Sequence, residues 1–243
     1  MIVRFLISEW IKLKRTSLRW VVFIFSVIYP VSIICFSKGL FKYDDIVEEM
    51  YWAFFMILGS LIPICLSVYI GIMSSIERSA KNFKNITASP LGKIKIFIGK
   101  NILVNVIFSL SIILSATLFV GGINIVYKFK LPIDIFFVGT MCVCFSCVSL
   151  TAIYMVIAFY YSLGTVFAVG VFGSIIASIL SVTPFGSIIW RVIPFTYPII
   201  LPINYFYIFP SYLYNYIINL LFCISTTFLV FITTLWLFKN AEK

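Results

Sequence analysis

The chain has 243 residues, of which 63% are hydrophobic and only 11% charged, with 18 Lys and Arg against 8 Asp and Glu and no His. A charged fraction so far below the rough quarter of a soluble domain excludes a water-soluble fold, which cannot hide that much apolar surface. The lack of His removes the usual general base and the commonest metal ligand, and no Gly-rich phosphate loop with Lys and Ser or Thr is present.

The chain opens on a segment, Met1–Thr16, with Val3, Leu6, Ile7, Trp10 and Leu13 at helical spacing and Arg4, Ser8, Lys12 and Arg15 on the opposite stripe. That pattern predicts an amphipathic helix on the cytoplasmic membrane surface, with Trp10 at the headgroup boundary and the lysines on anionic lipid. Charges scattered from Arg4 to Arg19 leave no apolar stretch of the signal-peptide kind, so the segment is expected to be retained.

Apolar runs predict spans over residues 18–36, 50–76 and 102–120, the second carrying Pro63. From Ile135 to Trp190 no residue is charged, a run that at ~1.5 Å per residue far exceeds one ~30 Å crossing. It must fold back, and Tyr160, Tyr161, Ser162 and Gly164 supply the turn, giving spans over 135–159 and 165–182. A last span is predicted over 212–238. Between the fifth and sixth spans, residues 183–211 hold five of the nine prolines, Pro184, Pro194, Pro198, Pro202 and Pro210. No straight helix survives that spacing, and backbone at membrane depth must be covered, so short re-entrant or interfacial helices are expected there.

Six spans put both termini on one side of the membrane. The side holding the termini and the loop from Glu77 to Lys100 carries 13 Lys and Arg, and the other side carries 5. Positive charge stays inside, so both termini are predicted to be cytoplasmic, and the basic excess needs no nucleic-acid partner. On these boundaries no charged residue lies inside a span, so the chain has no titratable relay for ion-driven transport. The fold class that follows is an all-α polytopic membrane protein with one membrane domain over residues 18–243, preceded by the surface helix over 1–17.

Cys142, Cys144 and Cys147 lie in an uncharged span without a fourth ligand nearby and read as packing residues. Gly170, Ser174 and Ser178 recur every fourth residue, and Gly173, Ala177 and Ser181 repeat the pattern one ridge round. Such ridges let backbones approach closely, either inside the chain or at a seam with a second subunit. In the basic loop, Ile76, Ala80, Phe83 and Thr87 share one helical face, Arg78, Lys81 and Lys84 lie elsewhere, and Ser89-Pro90 stops the helix. A short surface helix of this kind offers a grip to a soluble partner. In the proline-rich segment, Trp190, Phe195, Tyr197 and Tyr205 read as an aromatic belt or as outer contacts for an amphipathic ligand, and Arg191, its one charge, as a partner for an acidic group.

Two of these segments carry a resemblance. Ser8-Glu9-Trp10-Ile11-Lys12-Leu13-Lys14-Arg15-Thr16 resembles the amphipathic start of ABC-2 type permeases, especially the small ones of lantibiotic-immunity transporters. The loop Glu77 … Ile86-Thr87-Ala88-Ser89-Pro90 … Lys93-Ile94-Lys95 … Lys100 is similar to the family's first cytoplasmic loop. The resemblance implies a permease without catalytic activity or cofactor of its own. It would pair with an identical or homologous second permease and with two copies of a separate ATPase that binds ATP and magnesium. Glu9, Trp10, Lys12, Lys14 and Arg15 would then belong to an elbow helix. Glu77, Arg78, Lys81, Phe83, Lys84, Ile86, Ser89 and Pro90 would form the coupling helix. The implied substrate is a cationic amphipathic antimicrobial peptide, expelled from the plasma membrane of a Gram-positive cell. Export of another amphipathic cargo, such as a bacitracin-like drug, a toxin or a lipid, and a non-transporting sensor or scaffold are the alternatives.

Overall fold

The structure, a computed structural model, describes residues 10–11, 18–37, 46–79, 92–127, 131–184, 186–208 and 213–240. All regular structure among them is helical: α1 (Leu18–Ser37), α2 (Ile46–Ser79), α3 (Lys93–Tyr127), α4 (Ile133–Tyr160), α5 (Leu163–Val182), α6 (Gly186–Ile189), a 3-10 turn (Pro194–Thr196), α7 (Tyr197–Ile208) and α8 (Leu213–Lys239). Among the described residues, five helices are long and apolar enough to cross a membrane, namely α2, α3, α4, α5 and α8, while the apolar part of α1 is the shorter Val22–Phe36.

Two helices are much longer than the apolar runs predicted. α2 has 34 residues and α3 has 35, which at ~1.5 Å per residue makes each about 50 Å long against a ~30 Å hydrocarbon core. The predicted basic loop is corrected accordingly. Glu77 and Arg78 are in the last turn of α2, and Lys93 to Lys100 open α3. Polar residues stop a hydropathy window but not a helix, because Lys, Arg and Glu are good helix formers.

The fold-back falls at Tyr161 and Ser162. Both have extended backbone, with φ −118° and ψ 174° at Tyr161 and φ −76° and ψ 167° at Ser162, and α4 closes with the Tyr161 N–H donating to the Ile157 carbonyl. Two residues are enough to reverse the chain here. At the opposite end, rings of α2, α3 and α4 interlock. Phe54 stacks on Phe119 with centroids 4.6 Å apart, and Tyr51 meets Phe136 edge-on at 5.0 Å. Gly139 makes room for them, since a Cβ there would lie 2.5 Å from the Tyr51 hydroxyl.

The small-residue face of α5 is taken up inside the chain by α2. A Cβ on Gly170 would run into the Ser67 side chain and come within 3.0 Å of the Pro63 carbonyl, and the Ser174 hydroxyl donates to the Ser60 carbonyl at 2.6 Å. Gly170, Gly173, Ser174 and Ala177 are all buried and Ser178 is partly buried. Of the two uses open to these ridges, packing within the chain is the one observed. Gly170 and Ser174 face α2, while Gly173 faces Phe195.

The described residues after α5 pack back on the bundle. Gly186 turns against the Leu180 carbonyl, Phe195 fills the space left by Gly173, and Pro198 and Ile199 press on Gly59. α7 then climbs along α2, the Tyr51 hydroxyl donating to the Pro202 carbonyl at 2.9 Å. At its far end the Tyr207 hydroxyl is hydrogen-bonded with Glu48. Successive contacts at Gly59, Tyr51 and Glu48 thus set the direction of α7 from the middle of the bundle to its outer end.

Candidate functional site

The end of the bundle that bears the fold-back brings together Glu77 and Arg78 of α2 and Lys100 of α3. Glu77 and Lys100 form an ion pair across the segment that joins the two helices, with side chains only 13% and 11% exposed. Beside it, the Arg78 guanidinium donates to the carbonyls of Ala158 at 2.7 Å and Phe159 at 3.1 Å, and also to that of Tyr161. The last carbonyls of a helix have no partners within it and carry the negative end of its dipole. An arginine supplied by another helix answers both needs.

The remaining span joins through aromatic contacts. Phe238 of α8 lies on Phe97 of α3 and Phe159 of α4, with centroids 5.0 and 4.8 Å apart, and the Tyr160 hydroxyl donates to the Leu237 carbonyl at 3.1 Å. These groups close over a recess of about 30 Å³ lined by Glu77, Lys100, Met155 and Phe238, room for roughly one water. Residues 80–91 therefore leave and re-enter a frame in which α2, α3, α4 and α8 are cross-tied. Glu77 and Arg78 are adjacent in sequence yet grip different helices.

Of the expected coupling residues, the structure brings Glu77 and Arg78 into this frame, whereas Lys81, Phe83, Lys84, Ile86, Ser89 and Pro90 lie outside the described residues. On the expected elbow helix, Trp10 is helical and 39% exposed, and Glu9, Lys12, Lys14 and Arg15 lie outside the description.

Two of the aromatic residues expected on the outer surface are buried in the chain. Trp190 and Tyr197 are buried, 4% and 0% exposed, and meet edge-on. Phe195 sits against Gly173 and Tyr154, and Tyr205 against Tyr216. Trp190 and Tyr197 are thus closed off by the neighbouring helices, whereas Phe195 and Tyr205 are half-buried. Arg191 goes in with them. Its carbonyl accepts from the Tyr197 hydroxyl, which also shares a hydrogen bond with Thr226, the central residue of α8. Arg191 belongs to none of the span-length helices, and its carbonyl is tied to the level of the middle of α8.

Sequence reasoning passed over a second polar group in the interior. The Asn105 amide on α3 donates to the Thr151 hydroxyl on α4 at 2.9 Å and to the Asn101 side-chain oxygen at 2.7 Å. The signal was a pair of Asn four residues apart in an apolar helix, which places both on one face.

Residues 5–182 match a family model described as ABC-2 family transporter protein, a match that runs through α5 and includes both halves of the cross-tied frame on α2 and α3. No curated protein matches the chain.

Proposed function

The chain belongs to the ABC-2 transporter family, and from that premise we propose that it is the permease of an exporter that expels a lantibiotic or similar cationic antimicrobial peptide from the cell membrane. Permeases of this family are membrane transport components whose ATPase activity resides in a separate subunit. The cross-tied frame around Glu77, Arg78 and Lys100 is the observation that carries the coupling role. It anchors both ends of residues 80–91 and leads from them to four helices.

In this reading residues 1–17 form the elbow helix, residues 18–243 the membrane domain, and α1 completes six spans with both termini in the cytoplasm. Two ATPase copies, holding ATP and magnesium, dock on the segment around Phe83, and a second permease, identical or homologous, completes the pathway. The excess of positive charge on the side of residues 77–100 supports this orientation. The peptide cargo and the Gram-positive plasma membrane rest on the likeness of Ser8–Thr16 and Glu77–Lys100 to the immunity permeases.

The decisive experiment expresses the chain with its ATPase in a peptide-sensitive host. Phe83→Glu is expected to abolish co-purification of the ATPase and, with it, protection against the peptide. Retained association would overturn the coupling assignment. Unchanged sensitivity to every lantibiotic tested, with association intact, would move the cargo to another amphiphile.

A further inference from the structure

Arg191 is the one charged residue between Ile135 and Phe238. The hydroxyl of Tyr197 ties its carbonyl to the level of Thr226, which lies as far from Leu213 as from Lys239. At ~1.5 Å per residue that is about 20 Å from either end of α8, near the middle of a ~30 Å hydrocarbon core. The neighbours agree on the depth: Phe195 lies against Gly173, about midway along α5, and Trp190 belongs to the same buried cluster as Ala177.

A guanidinium at that depth needs a counter-charge, and the chain supplies none among the described residues. Nε of Arg191 is buried without a hydrogen-bond partner, while the residue as a whole is only half-buried. The flanking Ile189 and Val192 are 50% and 65% exposed, on backbone that is not continuous helix. Irregular backbone at membrane depth does not face lipid tails; it lines a water-containing crevice or another protein surface. An uncompensated cation on such a face is a ligand site by default.

We propose that Arg191 is an anion site inside the membrane and that its ligand is the phosphate of a phospholipid headgroup drawn into the crevice. The planar guanidinium fork matches a phosphate, and the bilayer supplies that anion on an amphiphile whose tails stay in lipid. The site is held rigidly, since Tyr197 fixes the main chain of Arg191 to α8 and Trp190 buries its neighbour. For a cationic cargo the bound phosphate turns a repulsive residue into a neutral one. The site itself rests only on the membrane placement of the chain and not on the cargo.

The test uses the full chain alone, purified in an uncharged detergent, and measures binding of dioctanoyl phosphatidylglycerol, dioctanoylglycerol and inorganic phosphate. Wild type is expected to bind the phosphate-bearing lipid at least about tenfold more tightly than the glyceride, the scale of one charge-assisted hydrogen bond. Arg191→Gln is expected to remove that difference, and Arg191→Lys to keep part of it. Equal binding of the two lipids by wild type overturns the proposal even if Arg191→Gln does not fold, and so does an unchanged difference in a folded Arg191→Gln. Displacement of the lipid by an equal concentration of inorganic phosphate assigns the site to free phosphate and overturns the lipid; no displacement supports it. Neither ATPase nor peptide is present, so failure here leaves the permease reading standing, and loss of that reading leaves this one standing.

Discussion

The guanidinium of Arg78 reaches the main-chain oxygen of Ala158 at 2.7 Å, joining the end of α2 to the end of α4 across 80 residues of sequence. That single side chain, from the last turn of α2, caps the helix before the fold-back. Arg78→Gln is expected to loosen this turn and lower stability by about 1 kcal/mol, the value of a cation at a helix C-terminus. Thermal unfolding in detergent measures the loss. ATP hydrolysis by the assembled transporter should persist while peptide protection falls; equal protection by the variant would show that the tie does not transmit force.

The Glu77–Lys100 pair is nearly buried, so removing one partner strands the other. Glu77→Gln or Lys100→Met is expected to cost about 3 kcal/mol, whereas the two together should cost much less than the sum. A double-mutant cycle by denaturant unfolding checks this, and additive losses would contradict the pair.

Gly170 and Gly173 have no room for a side chain, one against Ser67 and the other against Phe195. Gly170→Val should therefore lower the folded yield and melting temperature of the chain even as a dilute monomer. Ser174→Ala, which loses one intramembrane hydrogen bond, should cost only about 0.6 kcal/mol. A Gly170→Val chain as stable as wild type would show that α2 and α5 separate readily.

Tyr197 holds Arg191 and Thr226 through one hydroxyl. Tyr197→Phe and Thr226→Val are expected to be non-additive, because the second change removes a partner that the first has already lost. The phospholipid preference ascribed to Arg191 should weaken in Tyr197→Phe while the fold remains, as read by the same lipid-binding comparison.

What the sequence by itself determined is what depends on neighbours along the chain. Apolar runs located the long helices to within a few residues at the fold-back, and the uncharged stretch from Ile135 to Trp190 required a reversal that falls at Tyr161 and Ser162. Its reach ended at α2 and α3, where polar residues interrupt a hydropathy run although the helical hydrogen bonding continues through them. The family signal is likewise local, carried by Ser8–Thr16 and the basic segment, both within the matched residues 5–182.

Only the tertiary structure decided which residues meet. Small residues on α5 state that something approaches closely; the rotation of the helix decided that α2 does so, through Ser60, Pro63 and Ser67. Glu77 and Lys100 are 23 positions apart, and Arg78 and Ala158 are 80, separations that carry no trace of pairing in a single sequence. The depth of Arg191 was hidden for the same reason. A proline-rich segment must leave the straight helical path, but the direction of its departure is set by the cavities that Gly59 and Gly173 leave for Ile199 and Phe195. That packing brings the one charge of the segment to the level of Thr226 on α8.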